Sequence, residues 1–356
     1  MDQINYSRLK KCMKRAENGE SLTVGFFGGS ITQGSLASTE QNMYAYLVYQ
    51  WWVKCFPDAD IHYVNGGIGG TTSHFGTARA QQDLLKYQPD VVVIDFSVND
   101  DANEFFQETY EGLLRKILSW KSKPAVILLN NVFYDTGENA QEYHNAVGMH
   151  YGVPFVSIRD TIYQQIKAGI YSRIELTPDG LHPNDKGHRL VADEIIRLLE
   201  QVRQMEVTEM EEKELPPAMT SNAYEHARRL TINDCSPDLD GFRADAEEKK
   251  GILDFFKNGW IGKKSGDRIV FELDASCIAV QYRKTIHRPA MTAELILDGD
   301  EDGKRVLDGN FEEDWGDCLY LEPILHHGEQ KRHTVEIRMP EQEKAGEFYL
   351  LSLIIA

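Results

Sequence analysis

Four short segments of this 356-residue chain hold the residue types that acyl-transfer chemistry needs. The first is Gly28-Gly29-Ser30-Ile31-Thr32-Gln33-Gly34, which follows a short β-rich run. Two glycines permit a tight strand-to-helix turn. Ser30 then sits at the start of a helix, with its hydroxyl exposed and its N–H near a positive helix end. That placement suits a nucleophile that must also stabilise an anion, and it equally suits a simple helix cap. The second segment is Asn65-Gly66-Gly67-Ile68-Gly69-Gly70-Thr71-Thr72-Ser73. Its glycines let backbone N–H groups approach a ligand closely, either as an oxyanion donor or as a phosphate cradle. The lysine of a P-loop is missing, and the spacing is not that of a dinucleotide fingerprint. The third, Ser97-Val98-Asn99-Asp100, offers a side-chain amide to a developing oxyanion, or else forms an Asx-turn. The fourth is Pro178-Asp179-Gly180-Leu181-His182-Pro183-Asn184. An aspartate three residues before a histidine can hold the imidazole in one tautomer, so that it serves as general base toward a serine.

Taken together and in this order, the four segments resemble the sequence blocks of the SGNH (GDSL-type) hydrolase superfamily, over about residues 20–200. The resemblance implies a three-layer α/β/α fold and a Ser-His-Asp esterase that needs no metal and no organic cofactor. It implies Ser30 as nucleophile, His182 as general base and Asp179 as its partner. The N–H groups of Ser30 and Gly70 and the amide of Asn99 would form the oxyanion hole. Two positions depart from the pattern: Gly29 stands where the name-giving block has Asp, and Ser97 where Gly is usual. Neither position carries a proton in the mechanism.

Positioning these segments requires a scaffold, and the first ~200 residues supply one. Strand signals at Thr23 to Phe27, Ile61 to Val64, Val91 to Phe96, Ala125 to Leu129 and Pro154 to Ile158 alternate with helical ones. The helical signals are at Asn42 to Phe56, Thr77 to Tyr87, Tyr110 to Lys121, Gln141 to Tyr151 and Asp185 to Met205. Such βαβ repetition predicts a parallel sheet covered on both faces, with ligands at the carboxyl ends of its strands. Residues 1–205 therefore read as the catalytic domain, and the charged segment 206–222, with Pro216-Pro217, as an exposed linker. From 223 to 356 short β runs broken by Gly and Asp predict an antiparallel β-sandwich.

Composition narrows the partners. With 38 basic and 56 acidic residues the net charge is −18, which disfavours nucleic acid and anionic membrane surfaces. A 42% hydrophobic content excludes a disordered chain. The N-terminus shows no apolar signal-peptide core, and five scattered cysteines without a CxxC pair suit a reducing compartment, so the expectation is a cytoplasmic protein. A second copy of the chain is the one macromolecular partner left open. Asp298-Gly299-Asp300-Glu301-Asp302-Gly303 starts like a calcium loop, but Gly309 stands where the closing Glu would be, so a solvated hairpin turn is expected.

The two-domain layout also resembles SGNH carbohydrate esterases that deacetylate plant polysaccharides, with a β-sandwich similar to a carbohydrate-binding module. That implies an acetylated oligosaccharide substrate, first a manno- and second a xylo-oligosaccharide. Tyr134, on the same strand edge as the triad, and Trp315, an aromatic in a loop of the β domain, are the expected substrate contacts. The competing readings are another acyl hydrolase, such as a thioesterase or lysophospholipase, and a sugar-binding protein with an inactive hydrolase domain.

Overall fold

A computed structural model describes residues 4–206, 214–342 and 346–356. It divides into two compact units, Met1–Glu225 and His226–Ala356. Residues 207–213, inside the expected linker, lie outside the described residues, as do residues 1–3.

The first unit is built on five parallel strands: β1 (Leu22–Gly28), β2 (Ile61–Asn65), β3 (Val91–Asp95), β4 (Ala125–Asn130) and β5 (Phe155–Ser157). Their order is β2-β1-β3-β4-β5, so the chain reverses its direction of travel between β1 and β3. Successive side chains on a strand point to opposite faces. Val24, Phe26, Val91, Val93, Ile127 and Leu129 fill one core, and Phe27, Val92, Ile94, Val126 and Leu128 fill the other. Both faces are apolar because both are covered, as parallel sheets require. Helices α1 (Ser7–Glu17), α3 (Tyr44–Cys55) and α9 (Asp185–Gln204) contribute to the first core; α4 (Ser73–Asp83), α5 (Glu104–Leu118) and α6 (Gln141–His150) to the second. Trp52 is fully buried and Trp51 is 8% exposed, with its indole N–H donating to Glu200, so this pair is core.

Several features depart from the sequence expectation, and α5 starts at Glu104 rather than Tyr110. Helix α1 precedes the first expected element, and Leu9, Cys12, Met13 and Ala16 bury one of its faces at helical spacing. Helix α4 starts at Ser73 rather than Thr77, because residues 73–80 are buried all round and leave no polar stripe to read. Residues 216–222, within the expected linker, are bonded to the first unit. Met219 and Thr220 donate backbone N–H groups to the buried Glu111 carboxylate on α5, and Arg115 donates to the Pro216 carbonyl. The compact unit accordingly runs on to Glu225.

The second unit is an antiparallel β-sandwich. One sheet has β7 (Asp238–Asp240), β10 (Arg268–Ala275), β12 (Thr292–Leu297), β13 (Arg305–Asp308) and β15 (Lys331–Arg338). The other has β6 (Arg228–Leu230), β8 (Arg243–Ala244), β9 (Trp260–Gly262), β11 (Ile278–Lys284), β14 (Cys318–Leu325) and β16 (Phe348–Ile355). Strand β10 alternates buried and exposed positions, the pattern of a strand with one face in a sandwich core. Trp260 lies inside that core at 1% exposure. The Asp298–Gly303 segment joins the antiparallel pair β12 and β13, and the Asp298 carboxylate accepts from the Thr334 N–H and bonds His333. All five cysteines are free. Among the described residues no helix is long and apolar enough to cross a membrane.

Candidate active site

The reversal of strand order between β1 and β3 opens a crevice at the carboxyl edge of the sheet. Helix α2 (Ser30–Gln33) starts immediately after β1, and the Ser97–Asp100 loop follows β3. The loop after β2 docks onto the end of β1, where the Ile68 N–H donates to the Gly28 carbonyl at 3.0 Å. The buried Arg79 guanidinium donates to the carbonyls of Gly28 and Gly66, which fixes the roots of the first two loops together.

Ser30 Oγ lies 2.8 Å from His182 Nε2. His182 Nδ1 lies 2.7 Å from Asp179 Oδ2. A carboxylate facing Nδ1 keeps the proton on that nitrogen, which leaves Nε2 as acceptor for the serine hydroxyl. The other carboxylate oxygen of Asp179 accepts from the backbone N–H groups of Leu181 and His182 and from the Thr177 hydroxyl. Partial burial alone would raise the Asp179 pKa, but these bonds outweigh it and hold the carboxyl down at about 2. Asp179 therefore stays charged across the neutral range.

The N–H groups of Ser30 and Gly70 and the side-chain amide of Asn99 have no protein acceptor among the described residues. Ser30 is 8% exposed, so its hydroxyl is sheltered yet reachable. The loop after β3 is held by Ser97, whose hydroxyl donates to the Asn131 carbonyl, and by Asp100. Asp100 accepts from the Ser73 N–H and pairs with His144, both side chains being fully buried. Ser97 thus does with its side chain what a glycine could not: it ties the loops after β3 and β4.

The two expected substrate contacts differ in setting. Tyr134 is 2% exposed, and its hydroxyl is buried without a partner. A ring in the core has no face for a sugar. Its link to the site runs through the backbone, where the Tyr134 N–H donates to the Gly180 carbonyl at 2.7 Å, inside the Asp179–His182 loop. Trp315 is 55% exposed, edge-on to Phe311 at 4.9 Å, with its indole N–H on Glu313. Sequence reasoning missed Arg79, Gln33 and the Asp100–His144 pair. Nothing in their spacing marks them, since each acts on a backbone or side chain remote in sequence.

A serine hydroxyl, an imidazole and a carboxylate thus stand in hydrogen-bonded series at the carboxyl edge of a parallel sheet. The chain belongs to the GDSL-like lipase/acylhydrolase family, whose model matches residues 26–190, and it is a carboxylic ester hydrolase. It is similar to the crystal structure of a two-domain esterase active on acetylated mannans, at 50% identity and a TM-score of 0.97, over 99% of this chain and 96% of that one. The same kind of esterase co-crystallised with mannopentaose matches at 49% identity and a TM-score of 0.95, over 99% of this chain and 95% of that one. An acetylxylan esterase of Geobacillus stearothermophilus is 26% identical over 211 residues, which is 51% of this chain and 94% of the relative.

Proposed function

We propose that this protein removes O-acetyl groups from manno-oligosaccharides through an acyl-enzyme on Ser30. The observation that carries this is the continuous series Ser30–His182–Asp179, at 2.8 and 2.7 Å. His182 takes the serine proton as Oγ attacks the acetyl carbonyl. Asp179 stabilises the imidazolium that forms. The tetrahedral oxyanion is received by the N–H groups of Ser30 and Gly70 and the amide of Asn99. As the C–O bond breaks, His182 gives its proton to the departing sugar oxygen, which leaves as the free hydroxyl. Water, deprotonated by the same histidine, releases acetate from the serine.

The mannan preference rests on likeness to the esterase active on acetylated mannans. The exposed Trp315 ring supports a sugar contact, because a flat aromatic face stacks on a pyranose. The test is mass spectrometry of defined acetylated manno- and xylo-oligosaccharides, with acyl-CoA and long-chain esters as controls. Loss of acetyl units from manno-oligosaccharides is expected with the parent and not with Ser30→Ala. Trp315→Ala is expected to raise KM for the oligosaccharide and to leave turnover of an activated acetate alone. Undiminished turnover in Ser30→Ala would end the acyl-enzyme account, and preferential cleavage of acyl-CoA would end the substrate assignment.

A further inference from the structure

The loop after β2 engages its backbone N–H groups one after another. Gly66 donates to the Phe26 carbonyl, Gly67 to Asn65 Oδ1 and Ile68 to the Gly28 carbonyl. Gly69 donates to the side-chain Oε1 of Gln33 at 2.6 Å. Gly70 is the first residue of the run whose N–H meets no acceptor among the described residues, and its φ of +66° turns the chain there. Gln33 is the last residue of α2, the single-turn helix that Ser30 begins. The tie is reciprocal: Asn65, at the root of the loop, donates through Nδ2 to the Thr32 carbonyl on α2 at 2.8 Å. The two backbones also touch, since a Cβ on Gly67 would fall 2.2 Å from the Gln33 nitrogen.

We propose that Gln33 is a positioning residue for the ester hydrolysis: by taking the Gly69 N–H, it leaves the Gly70 N–H as the loop amide presented to the oxyanion and locks that amide to the helix carrying the nucleophile. This rests on the reading of Ser30 as nucleophile. Without the Gln33 acceptor, the Gly69 N–H competes for the developing charge and the loop loses its register against Ser30. A donor displaced by a fraction of an ångström stabilises the transition state less while leaving ground-state binding alone.

The experiment uses the full chain and two variants. Gln33→Met keeps the side-chain length and removes the acceptor; Gln33→Glu keeps an acceptor. Deuterium exchange is followed in peptides spanning residues 64–74, alongside kcat and KM on an activated acetate. Gln33→Met is expected to lower kcat about tenfold with KM within about twofold, and to speed exchange in that peptide, with the melting temperature unchanged. Gln33→Glu is expected to keep slow exchange. A kcat for Gln33→Met close to the parent value, or unaltered exchange, overturns the proposal, as does faster exchange in Gln33→Glu equal to that of Gln33→Met. Ser30→Ala in the same assay separates the two claims. If it abolishes turnover while Gln33→Met is silent, the nucleophile stands and the clasp falls. If Ser30→Ala keeps turnover, the nucleophile falls and takes the catalytic role of the clasp with it.

Discussion

The Asn99 carboxamide occupies the space that a side chain at position 29 would need, for a Cβ on Gly29 would lie 2.1 Å from Asn99 Oδ1. The departure from the name-giving Gly-Asp-Ser pattern therefore has a local partner. With no side chain at position 29, the amide of Asn99 packs directly on the backbone that leads into Ser30. Gly29→Ala should push this amide aside, since the added methyl group would overlap the flexible end of the Asn99 side chain. We expect turnover to fall toward the loss of one oxyanion donor, about 10²-fold, with a KM close to the parent value. Steady-state kinetics on an activated acetate decides it; an unaltered kcat means the Asn99 side chain accommodates the methyl group.

Asn99→Ala removes the donor outright. The expectation is a loss of about 10²-fold in kcat with little change in denaturant midpoint, because the Asn99 side chain makes no protein hydrogen bond among the described residues. If Gly29→Ala acts by displacing this amide, adding it to Asn99→Ala should cost little more, which a double-mutant cycle reads directly. Fully multiplicative losses would show that position 29 acts on Ser30 by another route.

The strands of the first unit were legible because a sheet covered on both faces leaves runs such as Val91 to Ile94 with no polar interruption. The Asp179–His182 hydrogen bond was legible because the two residues stand three apart on one turn, whereas the approach of Ser30, 152 positions away, is set by the fold. What holds these segments was not legible. Arg79 reaches Gly28 across 51 positions, and Glu111 holds Thr220 across 109. Local polarity made residues 216–220 read as part of a linker, yet Glu111 and Arg115 hold them by bonds to positions remote in sequence. In each case buried contacts at long range outweigh the local polarity that a sequence displays.

Two carboxyls predict opposite pH effects in separate windows. Asp95 is fully buried at the end of β3, and burial pushes its carboxyl up to about 7 against the opposing hydrogen bonds from Asn131 and Thr32. A carboxyl whose pKa is higher folded than unfolded holds its proton longer in the native state. Stability from this group is therefore full below about pH 4 and falls as pH rises to about 7, by on the order of 4 kcal/mol. Asp179 works the other way: with a folded pKa of about 2, its contribution is present above about pH 4 and is lost as pH falls toward 2. Urea unfolding between pH 4.5 and 8 should thus show the stability of Asp95→Asn gaining on that of the parent as pH rises to about 7, the opposite contribution of buried His188, held down at about 4, being common to both proteins. Parallel slopes in the two proteins would remove Asp95 as a source of the pH dependence.

Glu111 predicts where the first unit is most easily loosened without touching the site. Its carboxylate is buried on α5 and accepts from the Met219 N–H at 2.7 Å, the Thr220 N–H at 2.9 Å, the Thr220 hydroxyl, and the Tyr151 hydroxyl at 2.5 Å. Burial would raise its pKa, yet these donors together bring it below the ordinary value, so it is held as the anion. Glu111→Gln puts an NH₂ donor against groups that are themselves donors. A buried donor left facing a donor costs about 2–3 kcal/mol where the lost bonds were charge-assisted. The denaturation midpoint should fall accordingly, and limited proteolysis should cut sooner within residues 214–222, while kcat on a small acetate stays at the parent value. Cleavage and midpoint both unchanged would mean that the Arg115 bond to the Pro216 carbonyl holds this segment on its own.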